Sequence, residues 1–582
     1  PGTLWLLAGV VLAGAVQDFM VLFISSRRNG ASLGEMIKQE MGPVPGSIAL
    51  FGCFLIMIII LAVLALIVVK ALAESPWGVF TVCSTVPIAL FMGIYMRFLR
   101  PGRVGEVSVI GIVLLVASIW FGGIIAHDPY WGPALTFKDT TITFTLIGYA
   151  FISALLPVWL ILAPRDYLAT FLKIGVIVGL AIGIVILNPE LKMPAVTQFV
   201  DGTGPVWKGT LFPFLFITIA CGAISGFHAL VSSGTTPKLV ERESHIRFIG
   251  YGAMLMESFV AIMALICASV LDPGVYFAMN SPAALIGTTV ENASQVINSW
   301  GFIVTPETLA LIAKEVGENS ILSRAGGAPT FAVGMAHIIS EVFNSRAMMA
   351  FWYHFAILFE ALFILTAVDA GTRAARFMLQ DLLGVISPGL KQTSSLPANL
   401  LATALCVLAW GYFLHQGVVD PLGGINTLWP LFGIANQMLA GMALMLCAVV
   451  LFKMKRQRYA WVALLPTSWL LICTLTAGWQ KSFSPDTKVG FLAIANKFQA
   501  MIDSGTIPPQ YTESQLAQLV FNNRLDAGLT IFFMIVVVVL ALFSIKTALA
   551  ALKEDKPTAK ETPYEAMPAD AQTLTAQAKR AH

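Results

Sequence analysis

The chain has 582 residues, 57% of them hydrophobic and only 12% charged, against about a quarter charged in an ordinary globular protein. That composition excludes a soluble multidomain enzyme, a disordered chain and a disulfide-stapled scaffold, and its continuous apolar runs exclude the alternating strands of a membrane β-barrel. A net charge of +3 is too close to balance to indicate a nucleic-acid partner.

What remains is an all-α polytopic membrane protein. A spanning helix needs about 20 apolar residues. Thirteen runs qualify, at 4–24, 48–69, 77–97, 104–126, 142–163, 170–187, 211–232, 250–271, 352–369, 398–415, 428–452, 460–478 and 526–550. The seven cysteines all lie inside these runs, so they form no extracellular disulfide framework. No secretory leader is visible, and the opening Pro1-Gly2 without Met raises the expectation of residues ahead of it.

An ionisable group inside a span is costly and faces a partner, a cavity or a pathway. The first run carries Gln17-Asp18, with Asp18 seven residues before Ser25, roughly 10 Å inside the boundary and too deep for a short side chain to reach water. Run 142–163 carries Ser153, Pro157 and Trp159. Pro157 removes a helical hydrogen bond and frees the carbonyl of Ser153. Transporters place such broken helices around their sites, although a simple kink is the plainer alternative. Arg165 and Asp166, just beyond, read as membrane-edge anchors.

In 211–232, Cys221, Ser225, His228 and Ser232 stand at i, i+4, i+7 and i+11, one polar stripe on a continuous helix. Gly222 and Gly226 form a GxxxG that admits a close neighbour. His228 is a proton-coupling or substrate group on this reading, since imidazole titrates near physiological pH; the alternative is a helix-packing seam. One Cys and one His fall short of a metal ligand set. Glu257 in 250–271 lies at a depth similar to Asp18, and either is a proton carrier or a structural partner for a cation.

Between 272 and 351 lies a long loop outside the membrane, with a re-entrant or surface helix at 328–344. In 352–376, Glu360 is the pathway candidate, and Asp369 with Arg373 is expected to form a structural i, i+4 ion pair. Run 428–452 carries the adjacent amides Asn436 and Gln437, which need partners, either substrate or another helix. Residues 1–452 read as the transporter core. Residues 453–552 read as C-terminal helices around a second outside loop at 479–525, and 553–582 as a disordered tail.

Alternate loops hold 24 of the 35 Lys and Arg, including Arg27, Arg97, Lys238, Lys453 and the tail. By the positive-inside bias that side, with the C-terminus, is cytoplasmic. No phosphate-binding GxxxxGK[ST], GxSxG or HExxH motif is present, so neither ATP-driven pumping nor hydrolysis has support.

The strings LPVWLILAPRDYLATFLKIG, FPFLFITIACGAISGFHALVSSGTTPK, FWYHFAILFEALFILTAVDAGTRAARFMLQDLLG and DPLGGINTLWPLFGIANQMLA resemble the carbon starvation protein A (CstA) family, and the likeness covers nearly the whole chain. The resemblance implies an amino acid–polyamine–cation (LeuT-like) inverted-repeat fold with broken helices. It also implies a bacterial inner-membrane protein. The expected function is proton-coupled import of pyruvate or a related small carboxylate under carbon limitation. Short-peptide import is the alternative, and a membrane nutrient sensor is the rival of another class. The partners are then a small-molecule substrate and the lipid bilayer. The coupling ion is H⁺, with Na⁺ the alternative, and no cofactor or metal is expected.

Overall fold

The computed structural model describes residues 1–157, 159–391, 395–421, 424–508 and 511–562. The described chain is helical throughout, joined by loops and turns. Among the described residues, eleven helices are long and apolar enough to cross a membrane. Two of the thirteen expected runs are not continuous helices, and both fail where the sequence weakens them. Run 142–163 is helical only over Asp139–Leu155. Leu156 is extended, with φ −67° and ψ 151°, as the residue before a proline prefers, and the next helix starts at Leu162. Run 211–232 divides into Leu211–Thr218 and Gly226–Gly234. The non-helical stretch between them contains Gly222, where glycine raises the cost of the helical state.

Burial separates the helices into centre and rim. Pro43–Leu72 and Thr427–Lys453 are 89% and 94% buried over their most apolar windows, so these two form the centre. Pro43–Leu72 is apolar all round, which suits a helix with neighbours on every side. It packs on Met349–Ile386, Gly424–Lys453 and Leu396–Val419. Leu162–Leu187, at 22%, and Glu243–Val270, at 28%, lie at the rim.

Ala328–Val342 is a 15-residue helix, about 22 Å long and shorter than a hydrocarbon core. It is buried along most of its length and packs against Met349–Ile386, Ile246–Val270 and Leu162–Leu187, so it lies within the bundle rather than on its surface. The last helix, Glu513–Lys553, has 41 residues and runs for about 60 Å, well past the expected span 526–550. Its first turns meet Phe491–Asp503 around a separate small core of Phe498, Leu516, Leu519 and Val520.

The described start of the tail, through residue 562, is exposed, but its backbone is tied to the rest of the chain. The Thr558 N–H donates to the Lys453 carbonyl and the Thr562 N–H to the Arg27 carbonyl, both at 2.9 Å. The Lys560 N–H donates to a Glu40 carboxylate oxygen at 3.1 Å. Backbone pairing of this kind needs no apolar side chains, which is why composition missed it. Residues 563–582 lie outside the described residues.

Candidate functional site

Three helices bring the deep titratable groups of the sequence together. Gly2–Ser26 carries Asp18, the half-helix Gly226–Gly234 carries His228, and Ile246–Val270 carries Glu257. Close packing sets the register. A Cβ on Gly250 would lie 2.7 Å from Phe19 Cα, so glycine lets this helix approach two turns ahead of Glu257. A Cβ on Gly226 would strike the backbone carbonyl of Asn436, so the start of the half-helix lies directly on Gly424–Lys453.

His228 sits between two carboxylates. Its Nδ1 is 2.9 Å from Asp18 Oδ2, and its Nε2 is 2.9 Å from Glu257 Oε2. Gln17 Nε2 donates to Asp18 Oδ1 at 3.0 Å and to the Ser225 carbonyl at 2.6 Å. Asp18 is the covered member, while His228 and Glu257 keep 19% and 25% of their side-chain surface uncovered. A neutral imidazole has one N–H and can donate to only one of its neighbours. With both carboxylates ionised, the two contacts require imidazolium, and the trio carries a single negative charge. One further proton makes it neutral. The arrangement is therefore suited to taking up and releasing a proton.

Cys221 Sγ lies 3.8 Å from His228 Nε2. Spacing alone supplied one Cys and one His; the fold adds Glu257, and the three ligand atoms lie within 4.8 Å of one another. The His228–Glu257 contact already uses Nε2, so a metal there and that contact exclude each other.

The expected stripe on one helix is replaced by a break, with Cys221 in the unwound stretch and His228 beyond it. Unwinding leaves carbonyls without helical partners, and buried ones must find others. Gln437 Nε2 donates to the Ala220 and Ile224 carbonyls at 3.2 and 2.8 Å. Asn436 Nδ2 donates to the Ala220 carbonyl and to Ser225 Oγ, and Asn436 Oδ1 accepts from the Phe227 N–H at 2.9 Å. With Gln17 on the Ser225 carbonyl, three amide side chains hold the broken helix open. The two adjacent amides thus have helix-break partners.

A second constellation surrounds the Pro157 break. Arg373 donates to the freed Ser153 carbonyl and to Leu156, and Arg376 donates to Ala154 at 3.0 Å. The expected Asp369–Arg373 pair is not what forms. Asp369 pairs with Arg165 at 3.6 Å and accepts from the Tyr149 hydroxyl at 2.8 Å. The physical reason is the break itself: its unpaired carbonyls draw Arg373 away, and Arg165 reaches Asp369 from the following helix. Arg165 is 2% exposed, so it is not the edge anchor that its position suggested. It was missed because an Arg just after an apolar run looks identical whether it snorkels or pairs inward.

The other candidates stay outside both clusters. Ser232 is buried one turn beyond His228, with no hydrogen bond to the trio among the described residues. Trp159 lies 4.3 Å beneath the Arg97 guanidinium. Glu360, on Met349–Ile386, has neither hydrogen bond nor ion pair among the described residues.

The model of the family "Carbon starvation protein CstA" matches residues 1–477. The chain is 76% identical to the "Peptide transporter CstA" of Escherichia coli K12 over 587 residues, covering 100% of this chain and 84% of that one. It is 68% identical to the "Pyruvate/proton symporter BtsT" of the same organism, covering 98% of this chain and 82% of that one. A manganese transporter from Eremococcus coleocola aligns over 94% of this chain and 95% of its own, with 11% identity and a TM-score of 0.30, too distant to carry an argument.

Proposed function

This chain belongs to the carbon starvation protein CstA family, and from that premise we propose that it is a secondary active transporter that imports a carboxylate-bearing nutrient with H⁺. The observation that carries the reading is His228 held between Asp18 and Glu257 at 2.9 Å on each side. An uncompensated charge in a low-dielectric site is costly, and a proton taken by the trio removes it. A zwitterionic peptide moving with one H⁺ carries one net charge, for which 100 mV contributes about 2.3 kcal/mol, or roughly fifty-fold accumulation. A carboxylate anion moving with one H⁺ is neutral overall and is driven by the pH difference alone, about tenfold per pH unit.

Pyruvate or a related small carboxylate is the first substrate reading, and a relative named as a pyruvate/proton symporter supports it. A specific observation favours short peptides as the second, since the more identical relative is named as a peptide transporter. Both substrates present a carboxylate, which needs a cationic partner. Arg165 is buried beside the Pro157 break with its Nε unpaired, and we assign it that role.

The reading includes a LeuT-like inverted-repeat core with the two broken helices at its middle, thirteen crossings in this chain, and residence in the bacterial inner membrane. The face carrying Arg27, Lys453 and the tail is assigned to the cytoplasm, and Ala328–Val342 to a re-entrant helix. The test is uptake of labelled pyruvate and of a labelled dipeptide into proteoliposomes, with and without an imposed pH gradient. Gradient-driven accumulation of either supports the proposal and names the substrate. Binding without accumulation of either would make the protein a sensor instead.

A further inference from the structure

The three helices of the trio meet at their ends on the face assigned to the cytoplasm. Ser25 Oγ, at the end of the helix that carries Asp18, donates to the Ala31 carbonyl at 2.7 Å and to the Ser233 carbonyl of the half-helix at 3.1 Å. Ser25 and Ser233 are 0% and 1% exposed, so this contact is closed to water. Arg27 Nε lies 2.9 Å from Glu243 Oε1, just ahead of the helix that carries Glu257. A proton or substrate that leaves the trio by this face must part these ends.

The tail lies across them. Lys455 Nζ donates to the Ala551 and Glu554 carbonyls, which fixes where the chain leaves the last helix. Further on, the N–H groups of Thr558, Lys560 and Thr562 donate in turn to the Lys453 carbonyl, a Glu40 carboxylate oxygen and the Arg27 carbonyl. Every second N–H is used, as in an extended chain bonded along one edge. Four residues of extended chain reach about 13 Å, so one short segment joins the end of a central helix to the end of the helix that carries Asp18. Its middle anchor is firmly held: Glu40 is 3% exposed and pairs with Arg28 at 2.6 Å and with Lys453 at 2.9 Å. Glu561 adds an ion pair with Arg27 at 3.5 Å, exposed and of little weight. Motion of Arg27 away from Lys453 must break these backbone bonds. Apart from the half-buried Ala559, residues 554–562 are exposed, so the segment can lift while the bundle stays folded.

We propose that residues 558–562 are a strap that holds this face closed over the trio and so limits how fast the protein opens to the cytoplasm. The inference rests on the transport reading above and adds a regulated exit to it. Backbone groups carry the strap, so proline is the specific probe. It removes one N–H and suits a chain that is already extended.

Lys560→Pro and Thr562→Pro each remove one strap bond. Ala559→Pro is the control, because the Ala559 N–H has no partner among the described residues. Opening is read by Ser233→Cys, in a background with the native cysteines replaced, as its rate of reaction with an impermeant thiol reagent. The full chain in nanodiscs presents both faces, so this readout needs neither sidedness nor transport. Lys560→Pro and Thr562→Pro should each raise the labelling rate roughly two- to tenfold, the range that one net hydrogen bond spans. The initial rate of gradient-driven uptake of pyruvate or dipeptide into proteoliposomes should rise with it. Ala559→Pro should match the wild type in both measurements. Unchanged labelling in both strap variants, an equal rise in Ala559→Pro, or faster labelling with unchanged uptake overturns the proposal. Faster labelling in the strap variants of a protein that accumulates neither substrate supports the strap and refutes the transport reading instead.

Discussion

His228 meets one carboxylate with each ring nitrogen, and this double contact separates it from a histidine that merely packs. Asp18→Asn or Glu257→Gln removes one negative charge and leaves the shape nearly unchanged. Each should lower gradient-driven accumulation at least tenfold while the protein still inserts. Glu360→Gln should accumulate substrate as the wild type does, because Glu360 has no hydrogen bond or ion pair to either cluster among the described residues. The measurement is proteoliposome uptake at several external pH values, and native pH dependence in both trio variants would place the proton elsewhere. The buried Arg165–Asp369 pair makes a separate prediction about stability. Removing one partner strands the other charge, at a cost of about 3–5 kcal/mol. Thermal unfolding of purified protein should therefore show Asp369→Asn and Arg165→Gln each strongly destabilised, and the double variant less so than the sum. Additive losses would mean that the two side chains do not act together.

At the scale of elements, the two broken helices are the structures on which the reading turns, and they were unequally visible in the sequence. Pro157 announced its break, since a proline removes a hydrogen bond and restricts its predecessor. The break ahead of Gly226 has no proline, and its glycines also fit a close-packed continuous helix. Hence the residues of the trio were legible as buried polar groups, but the stripe that was to unite them was not real. What opens this helix is tertiary: amides from Gln17, Asn436 and Gln437 replace its lost hydrogen bonds. Asn436→Leu should accordingly expose unpaired groups at Phe227 and Ser225, costing about 1–3 kcal/mol for each buried group left without a partner. Hydrogen exchange should rise mainly in residues 219–227. Unchanged exchange there would mean that the amides do not hold the break.

For the whole molecule, composition alone was enough for the class, because no soluble protein carries so many long apolar runs. Burial order within the bundle was not legible: the most apolar helix, Pro43–Leu72, is central, but Thr427–Lys453 is more buried at lower hydropathy and Glu513–Lys553, the second most apolar, is only 33% buried. Contacts between distant segments were not either, since the Arg165–Asp369 pair and the tail's backbone bonds to Arg27 and Lys453 link residues that no local pattern associates. Sidedness rests on the Lys and Arg tally. Single cysteines placed at Ser484 and Thr558, in a background with the native cysteines replaced, should react with an impermeant thiol reagent from opposite sides of the membrane. Labelling of both from one side would contradict the thirteen-crossing arrangement. The most direct test of proton coupling through Asp18, His228 and Glu257 is proton entry evoked by substrate. The protein would be reconstituted into vesicles containing a pH-sensitive dye, and pyruvate or a dipeptide added outside without an imposed gradient. The wild type should acidify the lumen in step with uptake, and His228→Ala should not, although it inserts normally. Acidification by His228→Ala at the wild-type rate would contradict the account.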